Sequence, residues 1–180
     1  LGLIGKTCDE ARTILDENDL VGVCTTGNAA TTDDQVGTVY DVDQIGRVPA
    51  GTTITVTVFA SRVEVGAPES APNVTDAGNP VTQVVEASTV QLNWANFSCP
   101  SGTGPLSAYT VTLSGAEFVS GGPSFGPDVR QAQIHVTGPV GSPVSATYTA
   151  TCGDRESGAS PPMDVLITAA ETTDGTDGTE

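Results

Sequence analysis

At 180 residues the chain is long enough for one large domain or two small ones. Its net charge of −16, with six basic residues against 22 acidic ones, excludes the Lys- and Arg-driven contacts on which nucleic-acid and anionic-membrane binding rest. Twenty-one Gly, 12 Pro and 4% aromatic residues favour short strands and tight turns, and no apolar run reaches the roughly 18 residues of a spanning helix.

Thr7 followed by Glu10 forms a capping box, in which each side chain satisfies an otherwise unpaired N–H. A helix is therefore expected over residues 8–18. Ala11, Ile14, Leu15 and Asn18 recur on one face, while Asp9, Arg12, Asp16 and Glu17 point to water. A returning strand over 20–24, a polar loop over 25–35, and strands over 36–40 and 54–59 with alternating faces follow.

The four cysteines, Cys8, Cys24, Cys99 and Cys152, allow several connectivities, and pairing within each half is the economical one. A helix of about ten residues rises about 15 Å and a strand of about five returns about 17 Å, which brings Cys24 back beside Cys8. A second bond, Cys99 to Cys152, would tie two strand regions of the second half. Two such bonds imply an oxidising compartment. No Cys-x-x-Cys spacing occurs and His135 is the only histidine, so neither a metal nor a cofactor is expected.

The spaced pattern Gly5-Lys6-Thr7-Cys8-Asp9-Glu10-Ala11, then Leu15 and Leu20, Gly37-Thr38-Val39, and Gly51 before Ile54-Thr55-Val56-Thr57-Val58 resembles a PASTA domain. That resemblance implies one helix on a small three-stranded sheet, an α+β module over residues 1–62. It departs from the family at Asp19, where a Gly is usual after the helix. It departs again at Val42-Asp43-Gln44, in place of Gln-Ser-Pro, and at Leu1, in place of a Pro. Because Leu1 begins inside the pattern, the chain reads as a fragment whose export signal or transmembrane helix lies upstream, with no membrane contact of its own.

Residues 63–72, with Gly66, Pro68 and Pro72, read as a linker. Strands are then expected over 90–94, 109–113, 131–136, 144–152 and 163–168, the spacing of a β-sandwich. Gln91-Leu92-Asn93-Trp94, Leu106-Ser107-Ala108-Tyr109-Thr110-Val111, and Ala146-Thr147-Tyr148-Thr149-Ala150 with Gly158-Ala159-Ser160-Pro161 resemble a fibronectin type III domain. An antiparallel fibronectin III or immunoglobulin-like sandwich is thus expected over 73–170, and a disordered acidic tail over 171–180. The fold class of the whole is mainly β with one short helix.

Gly122-Pro123-Ser124-Phe125-Gly126 fits the nucleophile-elbow spacing, with Asp128 and His135 following in order, but it falls in a loop rather than a strand-to-helix turn. Asp41, Asp43 and Gly46 suggest a calcium loop, yet Ile45 and Thr52 stand where oxygen ligands are needed, so a polar turn is expected. Trp94 and Tyr148 read as core aromatics, and His135 as a solvent-facing strand residue. Tyr40 and Arg47 are the candidates for ligand contact.

PASTA modules are extracellular repeats of bacterial receptor Ser/Thr kinases and penicillin-binding proteins. The resemblance implies a non-catalytic, cell-surface sensor region of a membrane Ser/Thr protein kinase, with peptidoglycan fragments or another wall component as partner. The alternative is a spacer or adhesion module that binds another surface protein. The acidic balance argues against direct contact with anionic wall polymers.

Overall fold

The structure, a computed structural model, describes residues 1–171, so all but Glu171 of the expected tail lies outside it. The chain is mainly β with one α-helix and divides into two compact units. The first comprises Leu1–Glu64 with Pro100–Thr103, and the second Val65–Cys99 with Gly104 onward.

In the first unit the capping box forms. Thr7 Oγ1 accepts from the Glu10 N–H at 3.3 Å and Glu10 Oε2 accepts from the Thr7 N–H at 2.8 Å, opening α1 (Cys8–Asp16). Asp9 and Glu10 lie in the first turn, beside the positive end of the helix dipole. The helix stops two residues earlier than its apolar spacing predicts. Asp19 takes a left-handed conformation, φ 57°, and the Leu20 N–H reaches back to the Leu15 carbonyl at 2.9 Å, a C-terminal cap that ends the ladder. Asn18 therefore lies outside the helix, exposed, with its side-chain amide on the Ile14 carbonyl.

Three strands follow: β1 (Val21–Ala29), β2 (Val39–Val42) and β3 (Thr53–Ala60), in the order β1-β3-β2. β3 is central, parallel to β1 and antiparallel to β2. The polar loop expected over 25–35 is a strand as far as Ala29, because β3 supplies partners for Thr25 and Thr26 and, past an irregularity, for Ala29. Pairing with a central strand outweighs the local polarity. A 3-10 turn, Asp33–Gln35, precedes β2, which starts at Val39 rather than at residue 36. Ile54, Val56 and Val58 of β3 point toward α1 and bury with Leu3, Ala11, Leu15, Leu20 and Val39. Cys8, at the start of α1, is bonded to Cys24 in the middle of β1.

The second unit begins at Val65, so most of the segment expected to be a linker belongs to it. Pro68 and Pro72 are buried, and a Cβ on Gly158 would lie 3.2 Å from the Ala67 Cβ. Its strands are β4 (Asn73–Asp76), β5 (Asn79–Pro80), β6 (Gln83–Val85), β7 (Thr89–Asn93), β8 (Leu106–Ser114), β9 (Ala116–Phe118) and β10 (Ser124–Phe125). They continue with β11 (Gln131–Val136), β12 (Pro143–Cys152), β13 (Arg155–Glu156) and β14 (Met163–Thr168). One sheet runs β10-β8-β12-β14-β6 with β13 beside β12, and the other β5-β4-β7-β11-β9. β6 pairs with β14 in parallel, the one departure from antiparallel pairing among the described strands of this unit.

Side chains from both sheets share one core, which includes Leu92, Trp94, Tyr109, Ile134, Tyr148 and Ile167. The Tyr109 hydroxyl accepts the Phe97 N–H at 2.8 Å, and the Arg130 guanidinium lies 4.6 Å from the centre of its ring. Two buried serines complete the edge of β12. Ser157 Oγ accepts from the Ala150 N–H at 2.9 Å and Ser160 Oγ from the Tyr148 N–H at 3.1 Å, while the Ser157 and Ser160 N–H groups return bonds to the same two residues' carbonyls. Residues 157–160 thus serve as a surrogate strand without strand geometry. Cys99 is bonded to Cys152 at the end of β12.

Candidate functional site

Alternation along β1 and β3 gives the first unit's sheet a second face, turned away from the helix. Val21, Val23 and Thr25 of β1 lie on it with Thr53, Thr55, Thr57 and Phe59 of β3. Tyr40 of β2 joins them, its ring centre 4.4 Å from that of Phe59. The Asn28 N–H donates to the Tyr40 hydroxyl at 3.0 Å, which leaves that hydroxyl free to donate outward. Thr25 and Thr57 approach across the strands with their hydroxyl oxygens 3.4 Å apart. Val21 and Val23 remain 51% and 40% exposed, so nothing in this unit covers the face. The face carries two rings in tilted contact flanked by hydroxyls, with the exposed Asp41 of β2 opposite Thr57, an arrangement suited to the apolar faces and hydroxyl groups of a sugar or a small peptide.

Arg47 lies in the exposed connection between β2 and β3, after Ile45, which is 97% exposed. Among the described residues no hydrogen bond or ring contact joins Arg47 to Tyr40. An apolar cleft of about 200 Å³ opens on the helix side of the unit, lined by Leu1, Leu3, Ile4, Val42 and Ile45 among others, and neither Tyr40 nor Arg47 reaches it. Of the two expected ligand residues, Tyr40 is thus built into a face and Arg47 stands apart from it.

The remaining motifs are placed as follows. Ser124 is in β10, paired with Thr110, after a cis Gly122–Pro123 bond, and the element that follows it is the strand β11, not a helix. Among the described residues no hydrogen bond joins Ser124, Asp128 and His135, and the exposed His135 sits 3.4 Å from Thr89 Oγ1 instead. Asp43 Oδ1 accepts the Thr55 N–H at 2.9 Å, which makes it part of the β2–β3 ladder. Among the described residues no group of three or more His, Cys, Asp or Glu side chains is placed to hold a metal ion.

Among the described residues two groups depart from their ordinary acidity. The Thr7 N–H, and then its hydroxyl, hold the Glu10 carboxyl below the usual range. Burial pushes the Tyr148 phenol up, against a hydrogen bond with the Ala95 backbone. The sequence did not single out Phe59 or Gly27, the ring beneath Tyr40 and the gap that admits its hydroxyl. The even spacing of Thr53, Thr55, Thr57 and Phe59 carried that information, since all four must share one face.

The structure defines a mainly β, two-unit, disulfide-bonded chain. Its two disulfides fit an extracellular location, and among the described residues no helix is long and apolar enough to cross a membrane. No family model and no curated protein matches the sequence.

Proposed function

We propose that this chain is a non-catalytic recognition region on the outer side of a bacterial membrane, part of a receptor Ser/Thr protein kinase, and that it binds peptidoglycan fragments. The observation that carries the reading is the open face on which Tyr40 packs against Phe59 beside Thr25 and Thr57, with Asp41 opposite Thr57 as its acidic edge. A muropeptide offers such a face sugar rings with apolar edges and an amide-rich stem, and the rings and hydroxyls match both. The resemblance of residues 1–62 to a PASTA module supports the same ligand class. So does the resemblance of residues 73–170 to a fibronectin type III domain, a unit suited to spacing a sensor within the wall. Arg47 would contribute only if its loop folds toward Tyr40 on binding.

The test is a titration of the oxidised protein with soluble muropeptides, followed by backbone amide shifts. Localised shifts at Tyr40, Thr57 and Phe59 are expected. A spectrum unchanged at millimolar ligand would remove this reading in favour of a spacer or protein-binding module.

A further inference from the structure

The outward side of the five-stranded sheet in the second unit is a lattice of amides and hydroxyls. β4, β7 and β11 lie side by side, so Asn73, Asn93 and Gln131 form one cross-strand row and Thr75, Gln91 and Gln133 the next. Gln91 Nε2 donates to Asn93 Oδ1 at 2.8 Å and to Gln131 Oε1 at 2.7 Å. Asn93 Nδ2 in turn donates to Asn73 Oδ1 at 3.3 Å and Thr75 Oγ1 at 3.1 Å. These bonds fix which end of each amide faces its neighbour. Among the described residues Gln91 Oε1 and the Gln131 side-chain amino group take no further partner, and the exposed Gln133 side chain makes no hydrogen bond.

β9 pairs with β11 at residues 134–136 and the Val119 N–H reaches the Gln133 carbonyl at 2.9 Å, which leaves Gln131 and Ala132 as an edge. There a cleft of about 450 Å³ opens, lined chiefly by Gln91, Ser120, Gly121, Phe125, Gln131 and Gln133. Small-molecule sites fall within roughly 300–1,000 Å³. None of the lining residues is charged. Arg130, next along the chain, is committed to the Pro127 and Val129 carbonyls, to Asn96 and to the Tyr109 ring. Phe125 is held against Trp94, ring centres 5.1 Å apart, and against Phe118 at 5.4 Å. Gly121, at φ 70°, places bare backbone near the Phe125 ring, where an added Cβ would lie 3.8 Å away.

The geometry points to this cleft as a second binding site, for a neutral oligosaccharide. An anionic ligand would meet no cation there and the field of a chain at −16. An apolar ligand would bury the Gln131 and Gln133 amides without partners, at a cost that each unpaired group imposes. A sugar hydroxyl both donates and accepts, as a primary amide does, and the C–H face of the ring can lie on Phe125. Because the Gln91, Asn93 and Gln131 amides are already tied to one another, little of their freedom remains to be lost on binding, whereas Gln133 is ordered only by the ligand. The site lies on the second unit and does not depend on the Tyr40 face.

Trp94, the only tryptophan of the chain, sits against Phe125 and reports on the cleft. The oxidised protein is titrated with neutral tetrasaccharides of glucose, mannose and N-acetylglucosamine, and in parallel with an uncharged Ala-Gly-Ser peptide. Expected are a saturable change in Trp94 fluorescence with at least one sugar and shifts of the Gln131 and Gln133 side-chain amides. Gln131→Ala is expected to weaken binding about tenfold, the loss of one hydrogen bond at an ordered site. Gln133→Glu, which keeps the volume, should weaken it similarly, and Tyr40→Ala should leave it unchanged. Three silent sugars at millimolar concentration, affinity that survives both Gln variants, or saturation of the cleft by the peptide alone would each overturn the proposal. Shifts at Tyr40 and Phe59 without shifts at Gln131 and Gln133 would overturn this site and leave the first-unit reading standing.

Discussion

Tyr40 closes over Gly27: its hydroxyl takes the N–H of Asn28 at 3.0 Å, and a Cβ on Gly27 would lie 2.0 Å from that hydroxyl and 2.6 Å from Thr57 Cγ2. The glycine is required by the ring above it, not by its own backbone, which stays in the ordinary region. Gly27→Ala is expected to cost about 1–3 kcal/mol, the usual penalty for overpacking. Tyr40→Ala in the same chain should recover part of the loss, and urea unfolding of the singles and the double checks this coupling.

Removal of either disulfide should destabilise, somewhat more for the bond that closes the longer loop. Cys8 and Cys24 are 16 residues apart and Cys99 and Cys152 are 53 apart. On chain-entropy grounds the paired Ala variants should lose about 3 and about 4 kcal/mol respectively. Thermal unfolding of each pair variant against the oxidised protein measures the difference.

Ser157 and Ser160 are 7% and 4% exposed, and each is the acceptor for one β12 N–H. Ser157→Ala or Ser160→Ala strands a buried donor, and each should cost about 1–3 kcal/mol. Hydrogen exchange at the Ala150 and Tyr148 amides should accelerate selectively in the matching variant, which separates this effect from general loosening.

Glu10 gives a pH prediction with a definite sign. Its carboxyl is held below the ordinary range by the Thr7 N–H and hydroxyl, so the ionised form belongs to the folded helix cap. The contribution is complete above the ordinary carboxylate range and is lost as pH falls through the lowered value. An NMR titration of the Glu10 side-chain carbon should give a midpoint below that of an unstructured Glu. Thr7→Ala should return it toward the ordinary value.

The sequence announced where α1 starts because a capping box is local, with donor and acceptor three residues apart. It did not announce where the helix ends, since Asp19 occupies a left-handed position at which Gly is the familiar signal. Strands with long alternation were legible: Gln131–Val136 and Met163–Thr168 have the bounds their period of two predicts. β5, β10 and β13 have two residues each and carry no period at all. The reach of β1 through Thr25 and Thr26, and the pairing of β6 with β14, depend on partners distant in the chain. The candidate site shows the same division. Tyr40 stood out by residue type, whereas Phe59 and Gly27 became its partners only through the register of β3 and β1.

The parallel pairing of β6 with β14 determines how the second unit would answer tension. The Leu166 N–H bonds to the Thr82 carbonyl and the Glu86 N–H to the Thr168 carbonyl, so the chain enters β6 at one end of the ladder and leaves β14 at the other. Tension between those points drags the two strands past each other and strains the rungs together, whereas an antiparallel hairpin pulled from its open end parts one rung at a time. Should the ladder yield, the bond from Cys99 to Cys152 still withholds the chain between them from extension. Pulled between those points, the unit would give way late and lengthen little.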